Sequence, residues 1–261
     1  MLYKSTPFLL HSLLNTIFTG KVFLEFPVLE STNIYAKNLI ANNAPIDGTV
    51  ITAQHQSAGK GQIGSSWVVE PDKNITLSII YKPNFLKVGE QFNLSIAVSI
   101  GIANYLQSKT DNDVFIKWPN DIYIGNKKIG GILIENTIAG NQISYSVVGI
   151  GLNLNQTSFD KSLPNPISLK MITGIEYNVT NEIYELLSFV EVSYLAIKDK
   201  HKIQKRIYQQ TMLGYQEKRT FIINDSKVEG EILGVNEQGN LLLEINGSIK
   251  KFDLRELKMV L

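Results

Sequence analysis

The stretch after Leu213 constrains this chain's fold more than any other. Phe221–Ile223, Val228–Leu233, Leu241–Ile245 and Ile249–Phe252 are short apolar runs. The gaps between them hold Asn224-Asp225, Gln238-Gly239-Asn240 and Asn246-Gly247. Runs this short cannot make useful helices, and Asn, Asp and Gly supply the backbone angles of tight reversals. The pattern predicts a small β-barrel over 214–261, separate from a larger unit over 1–213.

In the larger unit, strand and helix periods mix, which predicts an α/β (α+β) fold. Val22–Leu29 reads as a strand that runs into Ser31-Thr32-Asn33, three residues of the helix-capping type. A helical stripe of Ile34, Leu39 and Ile40 follows and ends at Asn42-Asn43 and Pro45. Thr49–Gln54 and Ile75–Tyr81 read as strands on either side of a glycine-bearing loop, Gly59–Trp67. Gln91–Gln107 is apolar on nearly every face and predicts a helix buried at the centre. Val114–Trp118 and Lys128–Glu135 read as two strands joined by a turn around Gly125-Asn126, with another strand over Ser144–Ile150. Pro164 and Pro166 mark a loop, and Thr180 opens a long helix that buries Ile183, Leu186, Leu187, Val190 and Leu195.

Composition excludes several function classes. Lys+Arg 25 against Asp+Glu 24 argues against a surface built for polyanions but leaves room for a local cationic pocket. The absence of cysteine excludes disulfides, thiolate nucleophiles and Cys-bound zinc, and fits a reducing cytoplasm. His11, His55 and His201 do not make a metal-site spacing. No apolar run reaches the roughly 18–20 residues of a membrane span. Met1–Phe18 carries a leucine-rich patch, interrupted by His11, Asn15 and Thr16, and is expected to be a first helix or a ragged terminus rather than a signal peptide.

Three segments can carry chemistry. Gly59-Lys60-Gly61-Gln62-Ile63-Gly64 satisfies the dinucleotide fingerprint literally, but Ser65-Ser66-Trp67 and Pro71 follow where a helix would have to start. The loop is therefore either a plain surface turn or an anion-binding strap. Its glycines let the backbone approach a ligand, Lys60 adds charge and Trp67 offers a face for stacking on a base. The second segment is Lys117-Trp118-Pro119-Asn120-Asp121 with Lys127-Lys128-Ile129-Gly130-Gly131-Ile132-Leu133. It reads either as a solvated turn or as a triphosphate site, where cations offset phosphate charge and a carboxylate holds Mg²⁺ or accepts a proton. The third, Gly149-Ile150-Gly151-Leu152-Asn153-Leu154-Asn155, is a glycine-rich strand end whose Asn153 could read an adenine edge.

Together, and in this order, the segments resemble the biotin protein ligases from about Val22 to Leu261. The Lys-Trp-Pro-Asn-Asp block followed by Lys-x-Gly-Gly-Ile-Leu is the most specific part. The resemblance implies a mixed-sheet, class-II-synthetase-like catalytic domain followed by an SH3-like barrel. It also implies two steps. Biotin and ATP give biotinyl-5'-AMP, and a lysine of a biotin carboxyl carrier protein domain then takes the biotin. Mg²⁺ would accompany ATP, and no covalent enzyme intermediate is needed.

Carried over by position, the resemblance assigns Ser31, Thr32, Asn33, Gln56 and Gly59 to biotin. Lys60, Gly61 and Gln62 fold over the adenylate, and Lys128, with Gly130 and Gly131 beside it, meets the acyl phosphate. Trp67 and Asn153 meet adenine. Lys117, Asn120 and Asp121 surround the phosphates and metal, with Lys117, Asp121 and Lys128 catalytic and Asp121 helping to deprotonate the incoming lysine. The family loop reads Gly-Arg-Gly-Arg-x-Gly-Arg, whereas this chain has Lys60, Gln62 and Ser65 at those places. Looser retention of the adenylate is expected, because lysine lacks arginine's bidentate fork. Only 30 residues precede Ser31, too few for a winged-helix domain, so DNA-binding repression is not expected. A homodimer is compatible with the family. The competing readings are a lipoyl or octanoyl transferase of the same fold and a non-catalytic binder of biotinyl-adenylate.

Overall fold

A computed structural model describes residues 4–5, 15–62 and 64–261. Most of Met1–Phe18 lies outside the described residues; of the part described, Lys4–Ser5 is a strand and residues 15–18 are not helical. An eight-stranded mixed sheet forms the larger unit. Its strands are β1 (Lys4–Ser5), β2 (Phe23–Leu29), β3 (Thr49–Gln56), β4 (Asn74–Tyr81), β5 (Val114–Lys117), β6 (Asp121–Ile124), β7 (Lys127–Ala139) and β8 (Gln142–Asn153). They lie in the order β1-β2-β3-β4-β8-β7-β6-β5. β2 and β3 are parallel, and every other neighbouring pair is antiparallel.

Strand alternation sorts the side chains onto two faces. Ile51, Ala53, Ile80 and Val147 face α1 (Thr32–Asn42), where Ala36 is fully buried. Val50, Ile79, Tyr81 and Val148 face the other way, into the larger core with α2 (Phe92–Gln107). α2 is buried along most of its length because α4 (Val179–Leu195) and α5 (Ile197–Thr211) cover it. The short α3 (Leu169–Thr173) is capped by Ser168, whose hydroxyl accepts from the Met171 N–H.

The structure adds to the sequence reading in three places. The segment between Trp118 and Gly125 is a strand of its own, β6, so two hairpins stand where one was expected. Helix α5 follows α4 directly, and α3 precedes it. The C-terminal sheet has β9 (Lys218–Ile223), β10 (Ser226–Val235), β11 (Leu241–Ile245) and β12 (Ser248–Phe252), and also a fifth strand, β13 (Lys258–Met259), paired with β9. The order β12-β11-β10-β9-β13 is antiparallel throughout, as the turn residues require.

Among the described residues no helix is long and apolar enough to cross a membrane.

Candidate functional site

Residues paired across four strands build the floor of one cavity. Gly151 on β8 pairs with Gly131 on β7, Gly131 with Asp121 on β6, and Asp121 with Lys117 on β5. They point to the α1 face, beyond that helix's first turn. Two glycines in the row leave the floor open. A cavity of about 690 Å³ fills the space, roomy enough for a nucleotide-sized ligand.

Lys128 reaches this face because of a β-bulge. Gly130 pairs with Ile122 but Lys128 pairs with Tyr123, so Ile129 is the extra residue. Ile129 drops fully into the core, and Lys128 comes onto the side of Gly131 and Asp121. Its Nζ stands 2.6 Å from Asp121 Oδ1. Lys117 is mostly buried and lies above the Tyr123 ring, 5.8 Å from its centroid. Burial pushes the Lys117 amine below the usual lysine range. Asp121 pulls it back up, while the charges of Lys128 and Lys258 push it down further. An anion entering the cavity would relieve that cost.

The first turn of α1 forms another wall. Ser31 has the extended backbone of an N-cap (φ −159°, ψ 137°), yet its side chain makes no cap hydrogen bond. The capping role read from the sequence is thus positional only, and the buried Ser31 hydroxyl lines the cavity. The Thr32 backbone N–H donates to Gln56 Oε1 at 2.8 Å and its hydroxyl donates to the same oxygen at 3.1 Å. The Gln56 amide nitrogen therefore faces Gly59, where a Cβ would stand 2.9 Å away.

Ser78 and Glu135 hold the wall residues Thr32 and Asn33 from behind, which the sequence did not disclose. Ser78 Oγ donates to Asn33 Oδ1 at 2.6 Å and lies 2.7 Å from Thr32 Oγ1. Asn33 Nδ2 donates to Glu135 Oε2 at 2.9 Å, and Lys37 pairs with Glu135 Oε1 at 2.8 Å. Burial pushes the Glu135 carboxyl up, but donation from Lys37 and Asn33 and the charges of Lys37 and Lys60 outweigh it. Glu135 therefore titrates below the usual carboxylate range. The chain of bonds fixes the Asn33 amide orientation. Only the packing of α1 across β4 and β7, which flank β8, brings these groups together, so no local sequence signal marks them.

The glycine loop closes over the open side as a small hairpin. Lys60 pairs with Ser66, the Gly61 N–H donates to Ser65 O at 2.7 Å, and the Trp67 N–H donates to Gly59 O at 2.9 Å. It does not turn into a helix, which rules out the dinucleotide fingerprint. The Trp67 indole lies on Gly151, where a Cβ would stand 2.4 Å from the ring. Its Nε1 is buried without a protein acceptor. Such an orphan donor on a cavity wall needs water or a ligand.

Most residues predicted for the site meet here. Ser31, Thr32, Asn33, Gln56, Lys60, Gly61, Gln62, Trp67, Lys117, Asn120, Asp121, Lys128, Gly131 and Asn153 all line the cavity. Gly59 and Gly130 do not. Gly59 packs against the Trp67 carbonyl and Gly130 against the Gly151 carbonyl, so both serve close approach of backbone. Asn120 and Asn153 line the cavity but are engaged already. The Asn120 amide donates to Ile132 O, and Asn153 Nδ2 donates to Ile167 O at 3.0 Å. Trp118 turns toward the barrel, where its Nε1 donates to Gly239 O at 2.8 Å. The barrel's Phe221, Leu254, Leu257 and Lys258 complete the enclosure, a contribution absent from the sequence reading.

A mixed sheet roofed by a small barrel, with lysines and a glycine hairpin around one cavity, defines the class: an α/β enzyme fold whose cavity wall is cationic. Residues 25–153 match the Biotin/lipoate A/B protein ligase family. The chain is 30% identical over 256 residues to the Bifunctional ligase/repressor BirA of Bacillus subtilis (strain 168), covering 94% of this chain and 76% of that protein. It is 27% identical over 222 residues to the Biotin--[acetyl-CoA-carboxylase] ligase of Mycobacterium tuberculosis, covering 83% and 81%. Among solved structures, the biotin protein ligase from Aquifex aeolicus in complex with biotin and ATP superimposes with a TM-score of 0.77 at 23% identity, covering 92% of this chain and 99% of that one. This chain belongs to the biotin/lipoate A/B protein ligase family.

Proposed function

We propose that the protein is a biotin–protein ligase, which makes biotinyl-5'-AMP from biotin and ATP and transfers the biotin to a lysine of a carboxylase carrier domain. The unit boundary falls at 213/214, with the reaction at the junction of the two units. One observation carries the reading: Lys60, from the glycine loop, lines a single cavity with Lys117 and Lys128 of a distant segment, and among the described residues Asp121 is the one carboxylate on its wall.

In the first step a biotin carboxylate oxygen attacks the α-phosphorus, the bond to the β-phosphate breaks and pyrophosphate leaves. Ser31, Thr32, Asn33 and Gln56 hold the biotin head through hydrogen bonds, and the Ser78–Asn33–Glu135 chain keeps Asn33 in one orientation. Lys128 and Lys117 offset the charge that gathers on the phosphorus oxygens. Trp67, seated on Gly151, packs against the base. In the second step the acceptor amine attacks the acyl carbon, the bond to AMP breaks and the amine loses a proton. Asp121 engages Lys128 through one oxygen, which leaves the other to take that proton. The loop and the barrel keep water from the anhydride.

Mg²⁺ fits as part of the ATP substrate. Among the described residues no three His, Asp or Glu side chains cluster as a metal site. The cavity's single carboxylate suits an ion held mainly by phosphates, which it would tether there. A cysteine-free chain that consumes ATP fits the cytoplasm.

Biotin-dependent ATP–pyrophosphate exchange, followed by transfer of radiolabelled biotin to a carrier domain, tests the reading. Exchange supported by lipoate and not by biotin would favour the lipoyl alternative. Exchange without transfer would leave only an adenylate binder.

A further inference from the structure

The strand that carries Lys128 loses a neighbour just where that lysine needs holding. β8 pairs with β7 from Gln142 opposite Ala139 to Leu152 opposite Gly130, and it ends at Asn153. The slot beside Lys128 is taken instead by residues 165–167 of the following loop, in a parallel bridge centred on Pro166. The Lys128 N–H donates to Asn165 O at 2.8 Å, and the Ile167 N–H donates to Lys128 O at 2.9 Å. Asn153 donates through Nδ2 to Ile167 O at 3.0 Å, which fastens the loop segment to the end of β8.

The local sequence suits this arrangement. In a parallel bridge the central residue turns its own N–H away from the partner strand, so Pro166 forfeits no bond to β7. Pro164 and Pro166 restrict the backbone on both sides of Asn165. Asn165 itself takes φ +47°, a region that asparagine and glycine enter readily and β-branched residues do not. Because Asn165 is exposed, what it gives the fold is this backbone angle. The bridge also falls on the bulge, where Ile129 is the extra residue and the ladder to β6 is disrupted. Residues 165–167 thus hold both main-chain groups of Lys128, and from there its Nζ reaches Asp121 Oδ1 at 2.6 Å.

We propose that residues 164–167 brace Lys128 for adenylation, with Asn153 and Asn165 as positioning residues that act through it. This role rests on the ligase reading and adds to it. The brace fixes where the ammonium meets the phosphorus oxygens, and a displacement of about 1 Å at such a group costs up to about a hundredfold in rate.

Single-turnover formation of biotinyl-adenylate by the full-length protein, at saturating biotin and ATP, tests the role. Asn165→Val strains the backbone angle and Asn153→Ala removes the anchor, and each should slow the step by about tenfold or more. Asn165→Gly should stay within about twofold of wild type, because glycine accepts the angle. Added to Lys128→Ala, the same two substitutions should cost less than about twofold, since nothing is left to position. Labelling of the Lys128 amine by acetic anhydride, read by mass spectrometry on the free protein, needs no turnover. It should quicken several-fold in Asn165→Val and Asn153→Ala and not in Asn165→Gly, as the pairing with Asp121 loosens. Wild-type rates in both variants, or equal losses with and without Lys128, would overturn the proposal, and so would labelling that neither variant alters. A wild-type protein that forms no biotinyl-adenylate would instead refute the ligase reading, while the labelling would still report whether the segment holds Lys128.

Discussion

Ser31 shows how one residue's sequence signal and its structural use can part. A serine before a helix ordinarily accepts a backbone N–H, and its replacement by alanine costs about 1 kcal/mol. Here the hydroxyl makes no such bond and faces the cavity instead. Ser31→Ala should therefore leave the melting temperature unchanged while raising KM for biotin by about two- to tenfold, the worth of one hydrogen bond. A lower melting temperature with an unaltered KM would mean that the serine is a cap after all. Lys117 makes the opposite trade. Burial first, then Lys128 and Lys258, hold its amine below the ordinary value of 10.5, and Asp121 only partly offsets them. The unfolded chain therefore binds this proton more tightly than the folded one. Stability rises with pH between the lowered value and 10.5, and the full penalty is present below that window. Lys117→Met should melt a few degrees above wild type at pH 7, with the gap closing as pH approaches 10.5, and should lose exchange activity. Thermal melts across pH check the first part, and an equal gap at all pH values would deny that the charge is its cause.

Elements with their own apolar period were legible in the sequence, and those whose existence depends on neighbours were not. α2 and β4 could be read because both are buried along their length and are rich in apolar residues. α5 went unread because its sequence is polar nearly all round, with only Ile197, Gln204 and Tyr208 buried. β6 and β13 have four and two residues, too few to show alternation. Those two strands carry Asp121 and Lys258, so the geometry of the site stayed hidden even where its residues were named. Gly151 read only as part of a glycine-rich strand end, because its partner, Trp67, comes from a loop that only folding brings there. That loop bears its own prediction. Lys60 is exposed and makes no ion pair among the described residues. A single ammonium grips a phosphate less firmly than a guanidinium fork. Lys60→Arg should lengthen the half-life of enzyme-bound biotinyl-adenylate several-fold without acceptor, measured by rapid gel filtration. An unchanged half-life would place the retaining contacts elsewhere.

At the scale of the whole molecule, the Lys117–Asp121 block serves the site and also holds the barrel over it. Trp118 Nε1 donates to Gly239 O, and a Cβ at Gly239 would stand 2.3 Å from the Phe92 ring, so the β10–β11 turn is wedged between catalytic-unit side chains. The Leu213 N–H donates to Ile116 O at 2.9 Å, and the Tyr208 hydroxyl donates to Pro119 O at 3.1 Å, which ties the end of α5 to the same hairpin. What the barrel's wall gives the cavity, Lys258 included, depends on that attachment. Trp118→Phe removes one hydrogen bond and some volume, about 1 kcal/mol, and should lower the melting temperature by about 2–4 °C. ATP–pyrophosphate exchange should fall several-fold. In the double variant with Lys258→Ala the losses should be less than additive, because a barrel that is no longer held in place cannot present the lysine. A double-mutant cycle on KM for ATP measures the coupling. Strict additivity would mean that the indole and the lysine act independently, and that the barrel stays in position without its link to Trp118.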